Sequence, residues 1–68
     1  KKEIGFSPLQ YIINRRIGEA QNILITTKKP IAEISKMVGY ENPNYFNLLF
    51  KKVTGISPGK FRKAQSRD

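Results

Sequence analysis

The sequence predicts an all-α domain of the homeodomain-like kind: a long helix, then a helix-turn-helix, then a short closing helix. Three observations lead there. Apolar residues make a wide stripe at helical spacing through Leu9–Leu24 and recur at i, i+3, i+4 and i+7 through Phe46–Val53. Helix starts are punctuated in one way at Ser7-Pro8, Asn42-Pro43 and Ser57-Pro58, a capping side chain followed by proline at the first helical position. Glycines stand where helices should stop, at Gly5, Gly39 and Gly55.

Taken in order, Lys1–Phe6 reads as a helix's last turn, with lysines suited to the negative end of the dipole and Gly5 beyond it. Ser7–Thr26 is the long helix; Leu9, Ile12, Ile13, Ile17, Ala20, Ile23 and Leu24 make its stripe, and Tyr11 and Gly18 lie on its back. Gly18 marks either a close approach or simple drift. Arg16 borders the stripe; its stem packs on the core and its head reaches Glu19 or Glu33, or else it clamps a phosphate. After the polar loop Thr26–Lys29, residues 31–54 form the helix-turn-helix. In the first of its helices Ile31, Ile34 and Val38 face inward and Met37 sits at the edge; Gly39 makes the turn and Tyr40 packs beneath it. The second runs from Pro43 to Val53 or Thr54. The closing helix, 57–64, is anchored by Phe61, with Lys60, Arg62 and Lys63 on its solvent face; Gln65–Asp68 should fray.

The 68 residues allow one small domain. Thirteen Lys+Arg against five Asp+Glu give a formal net charge of +8, with an isoelectric point near 10.1. Such a field favours polyanions. Cysteine and histidine are absent, so no disulfide, zinc site or other metal site is expected, and no cofactor. The scattered acids offer no acid/base pair, so an enzyme is not expected. No apolar run is long enough to span a bilayer. The absence of cysteine fits a reducing compartment, and a cytoplasmic location is expected.

An internal match adds a further expectation. KKEIGFSPLQY (1–11) and KKVTGISPGKF (51–61) share two lysines, a glycine and the Ser-Pro pair at an offset of 50, and Tyr11 matches Phe61 in kind. Part of this is shared helix punctuation. Read as duplication, it makes Lys1–Phe6 the tail of a first unit and Ser7–Thr26 the helix connecting it to the second.

The helix after Pro43 has two unlike faces. Phe46, Leu49, Phe50 and Val53 fall on one stripe; Asn44, Leu48 and Lys51 point the other way, flanked by Tyr45 and Asn47. An aromatic and aliphatic face suits a core, and short amides with a lysine suit a major groove. Asn44 can pair with adenine N6 and N7, or serve only as capping help. Leu48 can touch a thymine methyl, or a protein partner. Lys51, Lys52, Lys28, Lys29 and Lys36 are candidates for phosphate, as are Asn42 and the free amides at Asn42–Tyr45 and Ile31–Glu33. RNA is disfavoured because the aromatics lie on core stripes. Membrane surfaces are disfavoured because no basic helix has an uncommitted apolar face.

These residues resemble the C-terminal half of the DNA-binding domain of AraC/XylS-type bacterial transcription regulators. GFSPLQYI and RRIGEAQNIL resemble the family's connecting helix, through Arg16, Ala20, Ile23 and Leu24. IAEISKMVGY resembles the first helix and turn of its second unit, and NYFNLLFKKVTGISPGKFRK its recognition and closing helices. Ser35, where a small apolar residue is usual, and Gly18, where a helix former is usual, depart from the pattern. The resemblance implies base contacts at Asn44, Tyr45, Asn47 and Leu48, phosphate contacts at Lys51 and the basic flank, and core roles for Phe46 and Phe50. It implies double-stranded DNA as partner, with a first helix-turn-helix and a sensing or receiver domain outside these residues. A protein-interaction module that docks RNA polymerase through Leu48 and Tyr45 is the alternative.

Overall fold

The computed structural model describes residues 7–65, in four helices: α1 (Pro8–Thr26), α2 (Ile31–Met37), α3 (Pro43–Thr54) and α4 (Pro58–Gln65). The readings of Lys1–Phe6, of the repeat's first half before Ser7, and of fraying at residues 66–68 lie outside the described residues; Gln65, also expected to fray, is the last residue of α4. The helix starts follow the punctuation. Ser7 Oγ accepts from Gln10 N–H at 3.1 Å, Asn42 Oδ1 from Asn44 and Tyr45 N–H at 2.9 and 3.4 Å, and Ser57 Oγ from Lys60 N–H at 3.3 Å. Each such cap contributes about 1 kcal/mol. Gly39 and Gly55 stop α2 and α3 at φ of 103° and 93°.

One core joins the helices. Ile17, Ala20 and Leu24 of α1 meet Ile34 and Val38 from α2 and its end, and Phe46, Leu49 and Phe50 of α3; Ile13, Ile23, Ile31, Tyr40 and Phe61 pack against them. An aromatic row runs through it from Tyr40 to Phe46 (6.1 Å between centroids), Phe50 (5.9 Å) and Phe61 (5.5 Å). The row ties the turn, α3 and α4 into one packed unit, each pair adding about 0.5–1.5 kcal/mol beyond its buried area.

Three apolar residues placed on stripes are not core. Leu9 is 67% exposed and Ile12 is also exposed, because the stripe of α1 is longer than the layer that covers it. Val53, in the last turn of α3, is 39% exposed at the rim of a shallow groove with Gln10, Ile13 and Asn14. Around Gly18 nothing among the described residues approaches a Cβ position within 4 Å, so no close approach comes from within them.

Arg62 is a larger correction. Expected in solvent, it is half-buried: its Nε donates to Leu24 O and its Nη2 to Thr27 O, both at 3.1 Å. A helix leaves its last carbonyls unpaired at the negative end of its dipole. The last turn of α1 has no basic residue of its own, so α4 supplies the cation. Arg62→Met should therefore lower stability in urea unfolding by about 2 kcal/mol, since hydrogen bonds from charged groups are among the stronger ones. Arg62→Lys should recover less than half of this, because an ammonium lacks the fork that spans two carbonyls.

Ser35 also finds a reason. It is fully buried, with its hydroxyl 3.0 Å from both Ala32 O and Tyr40 O, while Tyr40 N–H donates to Ser35 O at 2.8 Å. With one proton to give, the hydroxyl serves one carbonyl at a time and pins the turn to α2. No helix of the described residues is long and apolar enough to cross a membrane.

Candidate nucleic-acid interface

Packing of Phe46, Leu49 and Phe50 fixes the rotation of α3 about its axis, and thereby what it shows to solvent. Asn44, Leu48 and Lys51, at spacings of four and three, are exposed, with Tyr45 and Lys52 along one edge. Leu48 is 63% and Tyr45 49% exposed. A leucine centred among amides and lysines on an open face has no packing role in the fold.

The three asparagines divide their work. Asn42 spends its Oδ1 on capping, so the amides of Asn44 and Tyr45 are already paired and its Nδ2 is left for a further partner. Asn44 is exposed beside it. Asn47 is half-buried and turned back along the helix, its Nδ2 donating to Pro43 O at 2.8 Å. Its Oδ1 and its second amide proton remain for a further partner.

The lysines are dispersed. Lys51 shares the outer face with Asn44 and Leu48, and Lys52 borders the groove between α1 and α3. Lys28 lines a crevice with Arg62 and Gln65 at the far end of α1, and Lys29 holds Glu33 at 3.5 Å. Lys36 is exposed in the last turn of α2. The site thus has Lys51 centred on it, Lys52 at its edge and the others on neighbouring elements.

Arg16 departs from expectation. Among the described residues its head meets no carboxylate; its guanidinium carbon lies 5.2 Å from the centroid of the Tyr40 ring. Glu33 is instead paired with Lys29, and the half-buried Tyr40 ring offers its face to the guanidinium. Tyr40 in turn meets Tyr45 edge-on at 5.9 Å and 73°. Sequence reasoning missed this link between α1 and the outer edge of α3, since Tyr40 lies in a turn where no periodicity gives its direction.

With this geometry in place, comparison with known proteins is informative. Residues 1–64 match a family described as a helix-turn-helix domain. The arabinose operon regulatory protein of Escherichia coli is 40% identical over 62 residues, which is 91% of this chain and 21% of that protein. An uncharacterized HTH-type transcriptional regulator of Bacillus subtilis, YisR, is 42% identical over 64 residues, 94% of this chain and 22% of the relative. The chain thus spans about a fifth of the length of these curated relatives. Among solved structures, the C-terminal domain of AraT, a response regulator from Geobacillus stearothermophilus, superposes with a TM-score of 0.91 at 35% identity, over 97% of this chain and 55% of that one.

Proposed function

This chain belongs to the AraC-type helix-turn-helix family of transcription regulators, and on that footing we propose that it binds double-stranded DNA sequence-specifically, with α3 in the major groove. The observation that carries this reading is the outer face of α3, where Asn44, Leu48 and Lys51 stand open while the opposite side is clamped by Phe46 and Phe50. Residues near the start of a recognition helix come closest to base edges. Asn44 pairs with adenine N6 and N7, Leu48 meets a thymine methyl, and Tyr45 contacts bases from the edge. Asn47 adds an acceptor through Oδ1. Lys51 and Lys52 meet phosphate, with Asn42 Nδ2 beside them; Lys28, Lys29 and Lys36 reach the backbone further out.

We also propose that α1 connects this unit to a preceding one, in a cytoplasmic regulator with a sensing or receiver domain elsewhere. Ser7 and Ser57 cap their helices alike, and Tyr11 and Phe61 each follow four residues later. Phe61 packs on Phe50, whereas Tyr11 stays 57% exposed, as an aromatic whose neighbour lies outside these residues would. The second reading, docking of RNA polymerase by Leu48 and Tyr45, is favoured only by their exposure.

Selection of bound duplexes from a random pool tests the first reading. Asn44→Ala should cost roughly 1–3 kcal/mol of discrimination at one base position. Lys51→Ala should weaken selected and scrambled duplexes alike and reduce the salt slope by about 0.9. Equal losses on both duplexes from Asn44→Ala would count against base reading. Leu48-dependent capture of polymerase, indifferent to salt and without DNA preference, would favour the second.

A further inference from the structure

We propose that Arg16 is a positioning residue for DNA specificity: stacked on Tyr40, it fixes the Tyr45 ring at the groove-facing edge of α3. The inference rests on the reading of α3 as the major-groove helix.

Tyr40 is the hub. Arg16 covers it at 5.2 Å, Tyr45 meets it edge-on at 5.9 Å, and Phe46 backs it at 6.1 Å and 36°. Phe46 is fully buried, so one side of Tyr40 is backed by the core. The Arg16 plate closes another. A second observation, independent of the rings, shows how closely the guanidinium is seated. A Cβ built on Gly39 would lie 3.0 Å from Arg16 Cζ, 3.1 Å from Nη1 and 3.2 Å from Nε. The turn thus leaves room for the plate and for little more. Arg16 comes from α1 and lies over Tyr40, which in turn meets Tyr45, so it acts on that ring through Tyr40.

The consequence falls on Tyr45. Half exposed, its ring has two torsions to settle, and its neighbours along α3's outer face are slender or flexible. The edge contact with Tyr40 restrains it. Without the Arg16 plate, Tyr40 is free to tilt and Tyr45 samples more orientations, which weakens base preference without removing any group that touches DNA. An arginine that instead clamped phosphate would lower affinity for every sequence.

The test uses the full natural protein and a random duplex pool, with the bound fraction sequenced for wild type, Tyr45→Ala, Asn44→Ala, Arg16→Met and Arg16→Lys. Arg16→Met should flatten the preference at the position that Tyr45→Ala flattens, by about threefold to fivefold, the size of a lost cation–π contact. The Asn44-dependent position should persist, and affinity for a scrambled duplex should stay within about twofold, as no phosphate contact is lost. Arg16→Lys, which keeps a cation over the ring, should restore part of the preference. If Arg16→Met does not fold, judged by its melt, Arg16→Gln takes its place. An unchanged profile, a uniform loss on all duplexes, or no rescue by lysine overturns the proposal. If wild type selects no sequence at all, the major-groove reading fails and this inference falls with it. If wild type selects and Tyr45→Ala flattens a position that Arg16→Met leaves intact, only the role of Arg16 is lost.

Discussion

Phe50→Ala should leave the chain largely unfolded at 25 °C. Phe50 is fully buried in α3, 5.9 Å from Phe46 and 5.5 Å from Phe61, where it joins α3 to α4. Truncating a buried phenylalanine costs about 3–5 kcal/mol in transfer and cavity energy. For 68 residues at roughly 0.05–0.15 kcal/mol each, total stability is only about 3–10 kcal/mol. The loss is of the same size as the whole. Far-UV circular dichroism should lose most of its helical signal, or the melt should collapse to room temperature. Leu48→Ala is the control: it deletes an aliphatic side chain of the same helix, yet should change stability by less than about 0.5 kcal/mol because Leu48 is exposed. A Phe50→Ala melt within a few degrees of the parent would show that the two faces of α3 are wrongly divided.

Gly39→Ala should destabilise by more than Gly55→Ala, although both glycines end helices at positive φ, 103° and 93°. At either position an L side chain meets backbone strain of about 1–3 kcal/mol. Only at Gly39 does the new methyl also meet the Arg16 guanidinium, at 3.0–3.2 Å; at Gly55 nothing lies within 4 Å. Pushing the guanidinium off Tyr40 forfeits a cation–π contact of about 0.5–1 kcal/mol or more. The Gly39 loss should therefore exceed the Gly55 loss by about that amount in urea unfolding. The excess should vanish in an Arg16→Met background, as a double-mutant cycle reads it. Equal losses in the wild-type background would mean that Arg16 swings away freely.

The division of labour between sequence and tertiary structure follows from the range of the forces involved. Helix starts, stops and the two faces of α3 were legible because caps, positive-φ glycines and 3.6-residue periodicity act within a turn or two of chain. Asn42, Gly39 and the Phe46–Phe50 stripe stand where such local rules put them. The outward set of Asn44, Leu48 and Lys51 follows from the same periodicity. Where a partner lies far along the chain, no local rule reaches. Arg62 and its acceptor Leu24 are 38 residues apart, and only the fold brings α4 against the open end of α1. Charge logic offers Arg16 a carboxylate or a phosphate, whereas packing gives it the face of Tyr40, whose direction is set by a turn. Leu9, Ile12 and Val53 carry the periodicity of buried residues and are left uncovered, because a stripe records which side of a helix is apolar and not how far its neighbours extend. The sequence by itself determined four helices, their ends and the polar face offered by α3. The tertiary structure decided which cations are spent inside the fold, which apolar residues reach its edge, and what holds Tyr45 beside that face, since these depend on where distant segments come to rest.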